Sequence, residues 1–116
     1  MSTFRASVSA GESGPVIMLS GEADLSSIAE LSDLVTSQLS GGTRHLTIDV
    51  SRMSFADSAS IRVLMLAAVT LRKRGGGLVL LRPQRTLARV LDIMGAQELM
   101  TTRAKDEAEA PDGCGQ

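Results

Sequence analysis

The stretch Met53-Ser54-Phe55-Ala56-Asp57-Ser58-Ala59-Ser60-Ile61-Arg62-Val63-Leu64 passes from a hydroxyl-rich segment into an apolar one. Asp57, Ser58 and Ser60 are residue types that are favoured at helix N-caps, so their simplest interpretation is structural. Hydroxyl groups at a helix start are also well placed for phosphorylation, because a helix N-terminus accommodates negative charge. The stretch therefore predicts the start of a helix and a candidate modification site.

The helix that follows is predicted from about Ser58 to Arg74 and is apolar almost all round. Such a helix is either deeply buried, or buried on one side and covered by a partner on the other. The preceding segment, Arg52 to Asp57, is predicted to be a loop. The glycines from Gly75 to Gly77 are expected to end the helix.

Strands and helices alternate on both sides of this helix. Apolar runs predict strands at 4–8, 15–19, 46–50 and 78–81 and a short edge strand at 96–100, and Gly21–Asp24 is expected to leave the second strand. Helices are predicted from the capping-box pair Ser27 and Glu30, and over 87–94. We expect an α/β fold, a single domain in which a mixed, mostly parallel sheet of four to five strands packs with three to four helices.

Composition excludes several classes of function. The 116 residues suit one domain, and 43% apolar with 22% charged residues is typical of a soluble globular protein. Phe4 and Phe55 are the only aromatic residues and the net charge is −1, so neither base stacking nor a basic field is available to bind nucleic acid. We expect no nucleic-acid partner.

Localisation and domain limits are predicted from the same features. No secretory signal pattern and no apolar stretch of membrane-spanning length is present, so we expect a cytoplasmic protein without membrane association. The single cysteine, Cys114, suits a reducing compartment. The domain is expected over residues 1–102, and the polar residues 103–116 are expected to form a flexible tail that is dispensable for folding.

Enzyme chemistry finds little support in the sequence. His45 is the only histidine, so no metal site can be built around it, and Cys114 lies far from any candidate base. Glu22 and Asp24 could hold a cation or transfer protons, but carboxylates at such a turn more often stabilise the turn and the next helix. We expect no catalytic residue, metal or cofactor.

The quoted stretch resembles the signature of the STAS family, named for sulfate transporters and anti-sigma-factor antagonists. The family pattern Asp-Ser-x-Gly-Leu is similar to Asp57-Ser58-Ala59-Ser60-Ile61, with Ser60 in place of the glycine and Ile61 in place of the leucine. The resemblance covers about residues 3 to 100. Further similar segments are Gly21–Asp24, Leu46–Val50, Gly77–Leu80, Pro83 and Arg89–Leu91.

The resemblance implies an anti-sigma factor antagonist. In such proteins the unphosphorylated form binds an anti-sigma factor that is also a serine kinase, phosphorylation of the serine after the aspartate releases it, and a serine phosphatase resets the cycle. The acceptor would be Ser58, with Ser60 as its rival. The implied partner-binding residues are Glu22, Asp24, Phe55, Asp57, Ser58, Ser60, Ile61 and Arg62.

Alternative functions remain open at this point. The chain could be a STAS scaffold within a larger signalling assembly, a domain that regulates a transporter, or a nucleotide-binding module that uses the acidic Glu22–Asp24 segment.

Overall fold

A five-stranded sheet and three α-helices make up the fold. The structure, a computed structural model, describes residues 3–12 and 14–103. The elements are β1 (Arg5–Ala10), β2 (Pro15–Ala23), α1 (Ile28–Ser40), β3 (His45–Ala56), α2 (Ser58–Lys73), β4 (Gly77–Leu81), α3 (Arg85–Ile93), a 3₁₀-helix (Ala96–Glu98) and β5 (Thr101–Arg103).

Strand order in the sheet follows the chain, β1-β2-β3-β4-β5. β1 pairs with β2 antiparallel, and the other three pairings are parallel. Each parallel connection therefore runs through a helix, as crossover connections require. The predicted single α/β domain with a mixed, mostly parallel sheet is confirmed.

The core lies on one face of the sheet. In β3, Leu46, Ile48 and Val50 are buried in the main cluster, while the intervening residues project from the opposite face, called here the outer face. The helices add aliphatic side chains to the same cluster, and Phe4 is its only aromatic member within the described residues. The core-forming helix residues are Leu31 and Val35 of α1, Ile61, Leu64, Ala67, Ala68 and Leu71 of α2, and Leu87 and Leu91 of α3.

Helix α2 is buried on one side only. Ile61 and Leu71 are fully buried, whereas Leu66 on the other side is 64% exposed. An all-round apolar helix can be buried on every side, or on one side only. The structure excludes the first arrangement and leaves the apolar side chain of Leu66 uncovered at the surface.

Two segments that were predicted to lie outside strands are in fact paired with each other, so the predicted loop at Arg52–Asp57 is wrong. β2 continues to Ala23 and β3 to Ala56, and the two strands are paired from Ser20–Arg52 to Ala23–Ala56. One register shift lies between Met18 and Ser20, just before this stretch, and a second lies between Gly21 and Glu22, within it. They break the strict alternation of apolar and polar side chains by which strands are found in a sequence, which explains the error.

The C-terminal part of the fold also differs from the prediction. Residues 96–98 form a 3₁₀-helix instead of a strand, because Gly95 turns the chain in the left-handed region (φ 72°) and Ala96 packs into the core. β5 follows at Thr101–Arg103, so the domain extends at least one residue beyond the predicted limit at 102. Residues 104–116, most of the predicted tail, lie outside the described residues.

An ion pair on the outer face joins the middle of the sheet to the end of β4. Asp49 is 3% exposed and accepts hydrogen bonds from Arg82 Nη2 at 2.7 Å and from the Ser51 backbone N–H at 2.9 Å. Burial on its own raises the pKa of Asp49, but the hydrogen bonds from Ser51 and the hydrogen bond and charge of Arg82 outweigh it, so the pKa lies below its usual value.

Replacing Asp49 tests this pair through its pH dependence. A carboxyl whose pKa is lowered by folding stabilises the fold above the unfolded-state pKa, near 4, and this contribution is lost as the pH falls through the folded-state value. Asp49→Asn should lower the free energy of unfolding at pH 7 by about 1–3 kcal/mol, and the difference from wild type should shrink between about pH 5 and pH 2. Urea unfolding across this range measures it, with the exposed Asp33→Asn as control. If the difference in the free energy of unfolding between Asp49→Asn and wild type stays constant with pH, the lowered pKa of Asp49 is contradicted.

Candidate functional site

The candidate site lies where the parallel strands β2 and β3 end side by side. Ala23 and Ala56 are paired in register, and the Asp57 backbone N–H donates to the Ala23 carbonyl oxygen at 3.0 Å. The segments that leave the two strands, starting at Asp24 and Asp57, therefore begin as neighbours. The structure thus brings together the two segments that the sequence marked separately.

Asp57 is the N-cap of α2. Its Oδ1 accepts a hydrogen bond from the backbone N–H of Ser60 at 2.9 Å, and its backbone is extended, as is usual for a cap. Ser58 is the first residue of the helix and its side chain is exposed. Because Asp57 performs the capping, the Ser58 hydroxyl is not required to hold the helix start.

Ser60, the rival acceptor, is buried. It is 1% exposed, and its hydroxyl has no hydrogen-bond partner among the described residues. The next residue, Ile61, is 0% exposed and belongs to the core. Ser60 and Ile61 belong to the predicted set of partner-binding residues, but neither reaches the surface of the folded domain.

The turn after β2 is built around Asp24. Its Oδ1 accepts hydrogen bonds from the Ser26 hydroxyl at 2.6 Å and from the Ser26 backbone N–H at 3.0 Å, and these bonds lower the pKa of Asp24. Ser27 is the N-cap residue of α1, but its hydroxyl exchanges hydrogen bonds with the Asp24 backbone and makes no cap bond. The helix start predicted from Ser27 and Glu30 is confirmed, although the Ser27 side chain makes no capping-box hydrogen bond.

Several predicted residues lie at the surface at this end of the sheet. Glu22 is exposed and pairs in register with Phe55, which is 47% exposed. Arg62 is exposed and lies one helical turn beyond Ser58. Together with one further residue they form a surface that we call the edge face: Glu22, Asp24, Leu25, Phe55, Asp57, Ser58 and Arg62.

Leu25 is the residue of the edge face that the sequence prediction missed. It is 77% exposed, between the turn residues Asp24 and Ser26. A signal was available, since Leu25 is an apolar residue in a polar turn that belongs to no strand or helix pattern. With Phe55, it gives the edge face two exposed apolar side chains.

Two further features of the described part of the chain bear on metal binding and membrane insertion. Within residues 3–12 and 14–103 no three His, Cys, Asp or Glu side chains are grouped to hold a metal ion. No helix in this part is long and apolar enough to cross a membrane. His45 is exposed at the start of β3, and Cys114 lies outside the described residues.

Comparison with known proteins identifies proteins that are similar to this chain in sequence and in fold. The family model described as "Mlab, STAS domain" matches residues 6–101. The chain belongs to the STAS domain family. Among curated proteins, the STAS domain is 27% identical over 95 residues to a protein named as anti-sigma factor antagonist BtrV of Bordetella bronchiseptica, covering 82% of each chain.

Solved structures share the STAS fold of this chain. An anti-sigma factor antagonist from Mycobacterium paratuberculosis superimposes with a TM-score of 0.82 at 18% identity, over 91% of this chain and 90% of that one. SpoIIAA in its unphosphorylated form gives 0.75 at 22%, over 95% and 94%. The Bacillus SpoIIAA in its phosphorylated form gives 0.70 at 23%, over 95% and 97%. At these identities the likeness concerns the fold.

The burial of Ser60 in this STAS domain leads to a stability prediction. A buried hydroxyl without a partner costs about 1–3 kcal/mol, so Ser60→Ala should stabilise the domain by about 1 kcal/mol and raise its Tm by about 3–6 °C. Differential scanning calorimetry measures the shift. Ser58→Ala, which removes an exposed hydroxyl two residues earlier, should change stability by no more than about 0.5 kcal/mol. Destabilisation by Ser60→Ala would show that the hydroxyl has a partner.

Proposed function

We propose that this STAS domain is an anti-sigma factor antagonist that works as a phosphorylation switch. In its unmodified form it binds an anti-sigma factor with serine kinase activity through the edge face, and phosphorylation of Ser58 releases it. A serine phosphatase restores the binding form, and the cycle takes place in the cytoplasm. Membership of the family and the likeness to a protein named as an antagonist support this function.

The observation that carries the proposal is the contrast between the two serines. Ser58 is exposed at the first position of α2, while Ser60 is 1% exposed and lies behind it. A kinase must bring the hydroxyl oxygen into line with the transferred phosphoryl group. It could reach Ser60 only after the first turn of α2 had opened, whereas Ser58 requires no such opening.

The helix start explains why phosphorylation would leave the fold intact. A phosphate adds roughly −1.5 to −2 charges near neutral pH. At the N-terminus of a helix, the free N–H groups and the helix dipole stabilise negative charge by about 0.3–1 kcal/mol at an exposed site. The cap bond joins the Asp57 carboxylate oxygen to the Ser60 backbone N–H. Because the Ser58 hydroxyl takes no part in this bond, phosphorylation of Ser58 does not break it.

The edge face explains why the same phosphate would disrupt an interface. Asp57 adjoins Ser58, and Asp24 begins the neighbouring segment, so two carboxylates already lie at this end of the sheet. A phosphate enclosed between them and a partner would lose its hydration and face like charges, which is strongly unfavourable. The two apolar side chains, Leu25 and Phe55, lie exposed at this end of the sheet and would supply the contacts that it disrupts.

Mapping the phosphate tests the assignment of the acceptor. Wild type and Ser60→Ala should be phosphorylated by the cognate kinase at similar rates, and Ser58→Ala should take up at least about a hundredfold less phosphate, because its remaining serine is buried. Mass spectrometry locates the modified residue. Uptake at Ser60 in Ser58→Ala at the wild-type rate would overturn the assignment, and no uptake in any variant would remove the support for the switch.

Leu25 tests the edge face without touching the phosphorylation site. If Leu25 is a hot spot of the interface, its truncation costs about 2 kcal/mol, so Leu25→Ala should raise the Kd of the unmodified protein for the kinase by roughly thirtyfold. Leu66→Ala is the matched control, because Leu66 is equally an exposed leucine (64%) but lies in the groove between α1 and α2. Isothermal titration calorimetry gives both values. Equal effects of the two substitutions would exclude Leu25 from the interface.

A further inference from the structure

The outward side of the first strand is unpaired. The strand order places β1 (Arg5–Ala10) at one end of the sheet, next to β2 and to no other strand. Five of its six residues are exposed. In the described part of the chain, no residue outside β2 forms a hydrogen bond with the β1 backbone. β1 therefore presents a row of backbone N–H and C=O groups that can pair with a further strand.

This edge lacks the features by which proteins block such pairing. Edge strands are commonly very short, bulged, or marked by proline and charged side chains. β1 pairs with β2 over six consecutive residues without a register shift, and it contains no proline and one charged residue, Arg5. The opposite edge, β5, has only three residues. Of the two edges, β1 is thus the one suited to accept a strand.

The sequence of β1 is complementary to itself in antiparallel pairing. If the pairing is centred on Val8, this residue lies opposite Val8 of a second copy. Ser7 then lies opposite the second copy's Ser9, and Ala6 opposite its Ala10. The two members of each pair share a face of the sheet, as pairing requires, because their positions differ by an even number. The small side chains leave room for the second strand, and Val8, which is 43% exposed, is covered by its counterpart.

Charge favours this register over others. Arg5 begins β1 and Glu12 lies in the turn that follows it, and both are exposed. Seven residues of extended strand, about 23 Å, separate the two, so they cannot meet within one copy. In the pairing centred on Val8, Arg5 lies opposite Gly11 of the second copy and beside its Glu12, and symmetry forms this contact twice. In a pairing centred on Ser7, Arg5 lies opposite the second copy's Ser9, three residues short of Glu12.

We propose that two copies of this chain pair through β1, antiparallel and centred on Val8, so that their two five-stranded sheets become one. The symmetric pairing uses both β1 edges, so assembly stops at the dimer. An interface built from one strand of small side chains belongs to the weak class, which buries less than about 1,200 Å². We therefore expect a Kd between micromolar and millimolar.

Sedimentation equilibrium of the purified chain over this concentration range measures the Kd, with a reductant present because Cys114 could join two copies covalently. Val8→Lys places two like charges opposite each other at the symmetry axis and should raise the Kd at least about tenfold. Ile93→Lys is the matched control. It replaces another exposed aliphatic residue, 77% exposed on α3, with the same charge and should leave the Kd unchanged.

A charge exchange tests the register. Arg5→Glu and Glu12→Arg should each raise the Kd by about fivefold, because each single change places like charges together at both ends of the interface. The double variant carrying both changes restores opposite charges across the interface and should return the Kd to within about twofold of wild type. Hydrogen exchange of the β1 amides gives a second readout that needs no variant, since exchange should slow as the wild-type concentration rises.

Four outcomes would overturn the proposal. The wild-type chain could remain monomeric at millimolar concentration, or exchange of the β1 amides could be independent of concentration. Val8→Lys could dimerise as well as Ile93→Lys, which would place the interface elsewhere. The double charge variant could dimerise as weakly as the two single variants. None of these measurements involves a kinase, so their results are independent of whether the proposed function is correct.

Discussion

The parallel pairing of β2 and β3 beyond the central part of the sheet is the constraint on which the candidate site depends. The two strands stay paired as far as Ala23 and Ala56, across two register shifts, and the Asp57 N–H donates to the Ala23 carbonyl oxygen beyond them. This fixes the start of α2 relative to the turn at Asp24. A shorter β3, with a free loop before Asp57, would leave the two segments without a common geometry, and the edge face would not be a single surface.

Under the proposed function, the start of α2 separates the contacts that stabilise the fold from the residue that is phosphorylated. Asp57 caps the helix through Ser60, and Ile61 anchors it in the core, so the helix is held from its buried side. Ser58 lies on the exposed side and takes part in neither contact. A charge added there can alter what the surface binds without removing a contact that the fold requires. The Ser60 hydroxyl has no hydrogen-bond partner among the described residues, so we expect it to lower the stability of the domain.

The fold class could be predicted from the sequence because its central elements are strongly patterned. The continuous apolar runs at 15–19, 46–50 and 78–81 are typical of buried parallel strands, and the helices between them carry apolar faces. The signature at Asp57–Ile61 marked the helix start correctly. What failed were the strand ends, where two register shifts and exposed polar residues such as Arg52 conceal the pairing, and the segment after Gly95, where Met100 and Ala96 are buried without strand geometry.

The candidate residues could be chosen from the sequence by their type, but their exposure could not be predicted from it. Asp57, Ser58 and Ser60 are equally good candidates in the sequence, and only the geometry of the first helical turn shows that one serine is exposed and the other enclosed. Leu25 was missed because apolar residues are recognised when they repeat at strand or helix spacing, and Leu25 belongs to no such repeat. Burial depends on which side of α2 faces the sheet, a tertiary property that the local sequence does not specify.

The affinity of the kinase for homogeneous protein phosphorylated at Ser58, compared with the unmodified protein, is the most direct measurement of the switch. We expect phosphorylation to weaken binding by about a thousandfold, which corresponds to about 4 kcal/mol, while the Tm of the domain changes by no more than a few degrees. Equal affinity of the two forms would contradict the switch. A large fall in Tm on phosphorylation would contradict the separation of fold from signal, because binding would then be lost through unfolding.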